Sequence, residues 1–237
     1  MKETPRKTSP VYAIEVDGQK FKVLADAKPL KTPVGKDFIL PTQKLADAVI
    51  DEWRAQKDKI NPATMPLTQL AATAIDIASK DRGHIVDQLT AYVGSELLCH
   101  QADHPEALKQ LQHNTWQPLL DWCALRFDAL LQTGSGIMPI KQTPEAKQAL
   151  KRTIESYDDF RLVGLRHAVD VSGSLILGLA LAEKHLSPEQ IVKAAELDAD
   201  FQMQQWGEDP AIVQKQKDML KELELCQKWF ELLLVVI

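Results

Sequence analysis

Cysteine is scarce in this sequence: Cys99, Cys123 and Cys226 are the only three in 237 residues, odd in number and widely spaced. That pattern argues against a disulfide framework and fits a reducing compartment. A basic stripe is missing too. Twenty-eight Lys and Arg stand against 33 Asp and Glu, a formal net charge of −5. Nucleic-acid surfaces need clustered cations to neutralise phosphates, so no nucleic-acid partner is expected. The one basic cluster, MKETPRKTSP at residues 1–10, is expected to be a disordered tail. It lacks the apolar core of a signal peptide. The longest apolar run with helical character, VSGSLILGLALA at residues 171–182, falls short of the ~20 residues that span a bilayer. No membrane insertion is expected, and the chain reads as a soluble, intracellular protein. It contains no internal repeat and no low-complexity segment.

A catalytic constellation is also lacking. Cys99, His100 and His104 are the best metal ligands on offer, but no second pair lies at the spacing a zinc site needs. They read as a core cysteine and surface histidines, with no metal and no cofactor expected. Gly134-Ser135-Gly136 is followed by no lysine of a phosphate loop and reads as a turn. His167 and Asp170 stand three apart on one helix, which allows a hydrogen-bonded pair without supplying a nucleophile. A hydrolase with a site among the helices is therefore the weaker alternative to a binding protein.

What is present divides the chain into two differently built halves. Val11–Val16 and Gln19–Leu24 read as strands joined through Asp17-Gly18, the dipeptide of a type I′ hairpin. Phe21 and Val23 alternate with lysines, so one face is buried. A second hairpin is expected from Leu30 through Pro33-Val34-Gly35 to Leu40. Thr42 can cap a helix running to Gln56, with Trp53 as its largest apolar group covering the sheet. The run Lys57-Asp58-Lys59 and Asn61-Pro62 break that helix. A new one begins at Pro66, tolerated in a first turn, and carries Leu67, Leu70, Ala71, Ala74, Ile75 and Ala78 on one side. The fold class expected is α+β: a β-rich domain over residues 1–65 and an all-helical domain over 66–237.

In the second half Ile85 to Leu97 mark a helix ending near Cys99. Pro105 opens the next, which Pro118 divides. Thr133–Gln142 is non-helical, and Thr143-Pro144-Glu145 restarts helix with a cap, a first-turn proline and an acid. One long helix is expected from Asp158 to about His185. Its glycines Gly164, Gly173 and Gly178 imply close packing at the centre of the bundle. Ser187-Pro188-Glu189 starts a helix that stops at Trp206 with Gly207 past its end, and Asp209-Pro210 caps the last one. Trp206-Gly207-Glu208-Asp209 has two readings: a buried tryptophan beside an N-cap, or a partner-binding corner. The apolar tail from Trp229 to Ile237 is expected to pack back on the bundle.

Taken in order, several stretches resemble the ATP synthase assembly-chaperone family, whose members escort the α subunit of the catalytic head. They are TPVG at Thr32–Gly35, LPT at Leu40–Thr42, EWRAQ at Glu52–Gln56, and PATMPLTQLAATAID from Pro62 to Asp76. LLCHQAD at Leu97–Asp103, Trp116, Trp122, Gly136–Gln142, GSLILGLAL from Gly173 and WGED from Trp206 continue the likeness over nearly the whole chain. The family commonly has tyrosine where His100 stands, glutamate at the position of Gln204, and an acid followed by alanine at Pro210 and Ala211. The resemblance implies a chaperone rather than an enzyme, binding the unassembled α subunit as a monomer. Partner contact is expected at Gln204, Trp206, Glu208 and Asp209, while Trp53, Pro66, Leu67, Asp76 and Gly207 are expected to carry the fold. The implied location is a bacterial cytoplasm, or the mitochondrial matrix in a eukaryote. A helical adaptor for another protein partner would share the composition and lack the resemblance.

Overall fold

Gly18 and Gln19 form a two-residue turn at the start of the fold. The computed structural model describes residues 10–57, 59–136, 138 and 140–234. In it β1 (Tyr12–Asp17) and β2 (Lys20–Ala25) pair antiparallel, with Asp17 opposite Lys20. Only the first turn residue, Gly18, has a positive φ, +60°. That is the II′ pattern on Gly18-Gln19, not the expected I′ turn on Asp17-Gly18. A second tight turn follows, unexpected from the sequence, with Asp26 and Ala27 both left-handed at φ 49° and 61°. It leads into β3 (Lys28–Pro29), and β4 (Ile39–Leu40) also pairs with β2. Between them the chain doubles back as expected, the Phe38 amide donating to the Leu30 carbonyl at 2.9 Å. β2 is thus the centre of the sheet, and Val23 is its fully buried residue.

α1 (Gln43–Arg54) starts on Thr42, whose hydroxyl oxygen accepts the Leu45 amide at 3.2 Å. The same hydroxyl donates to the carbonyl of Leu232 at 2.6 Å. Leu45, Ala46, Val49 and Ile50 form the buried face, in contact with the sheet. Trp53 lies at the edge of that face, half-buried, its ring 6.3 Å from that of Tyr12. α2 (Pro66–Thr73) follows, runs into a π-helical turn at Ala74–Ala78, and continues as α3 (Ser79–Ala91). The sequence pattern puts the domain boundary at 65/66, where strands give way to helices. α2 nevertheless packs with α1, and the compact units part between Lys80 and Asp81. The first unit also takes in the chain from Glu231, and the second is Asp81–Phe230.

In the second unit two 3₁₀ turns, Tyr92–Ser95 and Leu97–Cys99, lead to β5 (His100–Gln101) and then α4 (Glu106–Phe127). Pro118 does not divide α4. It removes one hydrogen bond, but Trp116, Leu119 and Leu120 around it are buried and hold the helix through. β6 (Gly134–Ser135) pairs parallel with β5 inside the expected non-helical stretch. α5 (Pro144–Ser156) is capped by Thr143, as expected.

The single helix expected over 158–185 is two. α6 (Asp159–Ser172) ends at Gly173, left-handed at φ 70°, and Ser174 caps α7 (Leu175–Ala182). All eight residues of α7 are buried. A methyl group on Gly178 would come within 2.6 Å of Val169, and one on Gly164 within 2.5 Å of Trp229. Close helix packing at the bundle centre is therefore real. α8 (Pro188–Ala195) and α9 (Leu197–Trp206) are likewise separate, broken at Glu196, before α10 (Pro210–Leu232). Trp229 and Phe230 are buried, while Leu234 is partly exposed. The basic tail over residues 1–9, Asp58, Ile137, Pro139 and the last three residues lie outside the described residues. Among the described residues no helix is long and apolar enough to cross a membrane.

Candidate functional site

The corner between α9 and α10 is fixed at both ends by local chemistry. The Gly207 amide closes α9 on the Met203 carbonyl at 2.9 Å. Gly207 then adopts φ 97°, ψ 162°, a region open essentially to glycine alone. Two residues on, the Asp209 carboxylate accepts the Ala211 amide at 2.8 Å and starts α10. Trp206 is left outside, 80% exposed. The buried reading of this tryptophan is therefore excluded. Gln204, Glu208 and Asp209 are exposed beside it in sequence, and neither acid joins an ion pair among the described residues.

The corner is braced from its own two helices. Lys215 of α10 pairs with Glu196 at 2.7 Å, and Gln216 donates to Asp200 at 2.7 Å. Gln112 of α4 donates to Asp198, also at 2.7 Å. An aromatic side chain and two carboxylates that join no ion pair among the described residues are thus presented on a preorganised backbone. Such a set holds no His, Cys, Ser or Lys. It can anchor a partner, the ring by burial and the acids by steering and register.

The residues expected to carry the fold do so in the first unit. Pro66 occupies the first turn of α2. Leu67 is buried, and its amide donates to the Glu52 carboxylate at 2.9 Å. Asp76 is 6% exposed and accepts the Thr32 hydroxyl at 2.8 Å and the Val34 amide at 3.4 Å. In an unbroken α-helix Asp76 would point about 200° away from buried Ala74, towards water. Asp76 is buried instead because the Thr32–Lys36 turn covers that side of the helix. Lys36 completes the clamp, its ammonium reaching the Ile75 carbonyl at 2.6 Å and the Ser79 hydroxyl at 3.0 Å.

Two carboxylates escaped sequence reasoning, because their partners lie far along the chain. Glu52 caps α2 from α1. Glu96, 1% exposed, sits over the first turn of α7, accepting the Leu175 amide at 2.9 Å, the Ile176 amide at 3.4 Å and the Ser174 hydroxyl. Burial pushes its carboxyl up to about 7, against the pull of those donors. No histidine stands among its partners in the described residues. Burial likewise pushes the thiols of Cys99, Cys123 and Cys226 up to about 12. His167 pairs with Glu222 at 2.8 Å rather than with Asp170, which accepts the Tyr92 hydroxyl at 3.2 Å. Among the described residues no three His, Cys, Asp or Glu are grouped to hold a metal ion.

Residues 7–124 match the family described as ATP12 chaperone protein. A mitochondrial atp12 protein of Schizosaccharomyces pombe is 22% identical over 207 residues, covering 82% of this chain and 71% of its own. The crystal structure of Atp12 from Paracoccus denitrificans is 33% identical with a TM-score of 0.89, covering 94% of this chain and 96% of that one. An Agrobacterium tumefaciens protein is 35% identical with a TM-score of 0.87, over 94% and 84% of the two chains.

Proposed function

Because the chain belongs to the ATP12 chaperone family, we propose that it assists assembly of the F-type ATP synthase by holding the unassembled α subunit of the catalytic head. An α subunit waiting for its β neighbours exposes apolar surface that drives association with wrong partners. A monomeric chaperone that covers part of it can then yield to the larger native interface. The exchange needs no cofactor and no turnover. It takes place in a bacterial cytoplasm, or in the mitochondrial matrix if the source is eukaryotic.

The observation that carries the reading is Trp206, 80% exposed on a braced corner beside Glu208 and Asp209. Burying that ring against a partner supplies the anchor, and the unpaired acids select a basic rim around it. Gln204, two residues back on α9, lies on the same stretch. The experiment is co-expression with an aggregation-prone α subunit, scored as soluble α. The wild-type chain raises it, and the folded double variant Trp206→Ala, Glu208→Lys does not. Equal rescue by that variant removes the corner from the interface. No rescue by the wild-type chain, across several α subunits, removes the function.

A further inference from the structure

The C-terminal end of α4 carries Leu125, Arg126 and Phe127, after which Asp128 turns the chain out in the left-handed region at φ 56°. With Arg152 of α5, Tyr157 and Glu183, these residues border an open cleft of about 480 Å³. Leu125 stands on its lip, 89% exposed. A single exposed leucine is ordinary. This one adjoins an unusual arrangement of arginines.

Glu183 is already saturated. Its carboxylate accepts Arg126 at 2.7 Å on one oxygen, and the Tyr157 hydroxyl at 2.8 Å with Arg161 at 3.4 Å on the other. Arg161 also stacks over the Tyr157 ring at 4.5 Å. Its Nε–H is buried and finds no acceptor among the described residues. Arg152 is exposed and, unlike Arg126, joins no ion pair among the described residues. Three guanidinium groups therefore outnumber the carboxylates of Glu183 and Asp128, in a chain whose net charge is −5. Guanidinium forks recognise carboxylates by paired hydrogen bonds, and the lip beside them is apolar.

We infer that this cleft is a docking site for an acidic and apolar peptide segment of a partner protein. A glutamate or aspartate of the segment pairs with Arg152, and a neighbouring leucine-like side chain covers Leu125. A small dianion suits the site less well, because Glu183 and Asp128 repel the second charge and nothing encloses it. The cleft is also remote from Trp206. Gln112 of α4 meets Asp198 and Trp116 meets Ala194, so the chain from Ala194 to Trp206 runs against α4, away from Arg126, which is itself fourteen residues, about 20 Å, from Gln112. The inference is thus independent of the proposed role of the α9–α10 corner.

The test is fluorescence anisotropy of a labelled, end-blocked peptide ALEALA, with the lysine counterpart ALKALA as control. The glutamate peptide binds, and the lysine peptide does not. Arg152→Glu weakens binding by about tenfold or more, and Leu125→Ser weakens it at unchanged charge. Both positions are exposed, and circular dichroism verifies the fold of each variant. Trp206→Ala leaves binding unchanged. Equal binding of the two peptides, no binding at about 1 mM, or wild-type affinity in Arg152→Glu overturns the inference. So does displacement of the peptide by an equal concentration of inorganic phosphate, which marks a simple anion site.

Discussion

The carboxylate of Glu52 reaches across to Thr68 twice, accepting its amide at 2.8 Å and its hydroxyl at 2.7 Å on the same oxygen. α2 opens on Met65 and Pro66 with no side-chain cap of its own. Glu52 therefore does from α1 what a local serine or aspartate does elsewhere, and its charge suits the positive end of the helix.

Glu52→Ala should cost about 2 kcal/mol of stability, the upper end for a helix cap, because three hydrogen bonds go together. Glu52→Gln should cost less, since an acceptor remains. Urea unfolding gives both numbers, and equal midpoints for the two variants would mean that the retained acceptor contributes nothing.

Glycine substitutions separate packing from helix propensity. Gly83, in α3, has open space where a Cβ would go, so Gly83→Ala should stabilise by up to about 1 kcal/mol. Gly164→Ala has the same propensity gain but drives a methyl into Trp229, which is fully buried and donates to the Phe160 carbonyl at 2.9 Å. Overpacking of about 1–3 kcal/mol should win there. Thermal melts of the two variants should move in opposite directions.

Glu96 gives the protein a pH dependence of definite sign. Its carboxyl is raised in the folded state from 4.5 to about 7, so between those values the folded chain holds more protons than the unfolded one. The stability contributed by this group is present below pH 4.5 and is lost as pH rises through 7. The difference amounts to about 3 kcal/mol. Denaturation at pH 5 and pH 7.5 should show a loss in the wild type that is absent from the same comparison in Glu96→Gln.

All three thiols are buried and pushed up to about 12. At pH 8 almost none is thiolate, the reactive form. An aromatic disulfide reagent should label none of them in the native protein and three after denaturation. Rapid labelling of one in the native state would show that its helix opens.

Trp206→Ala should change the unfolding free energy by less than about 0.5 kcal/mol, as for other surface positions. The same substitution should remove most of the intrinsic fluorescence accessible to iodide, because Trp116 and Trp229 are buried and Trp53 and Trp122 half-buried. A large stability loss would mean that the ring packs rather than waits for a partner.

Local signals carried most of the fold. Thr42 and Thr143 cap the helices their side chains announce, and Phe21 and Val23 mark the inner face of the sheet. Errors arose where a residue type serves two purposes. Gly173 reads as a packed helix glycine but ends α6, while Pro118 reads as a breaker but is overridden by buried neighbours. At the site, the Gly207 stop and the Asp209 cap were legible because both act within a few residues. The exposure of Trp206 was not, since periodicity does not say whether another helix will cover a helix end. Asp76 was legible as a motif residue, but its burial depends on Thr32 and Val34, which lie 44 and 42 residues away in the chain.

The hydrogen bond from Thr42 to the Leu232 carbonyl spans 190 residues. Closing so long a loop is slow relative to forming local helices. On the ribosome the β-rich unit therefore waits for a segment made 190 residues later, while Asp81–Phe230 can condense from contiguous chain. The unit that leaves the ribosome earlier is the later of the two to be finished. Until then its Val23, Phe38 and Leu40 depend on the same protection from stray contacts that the completed molecule is proposed to give its partner.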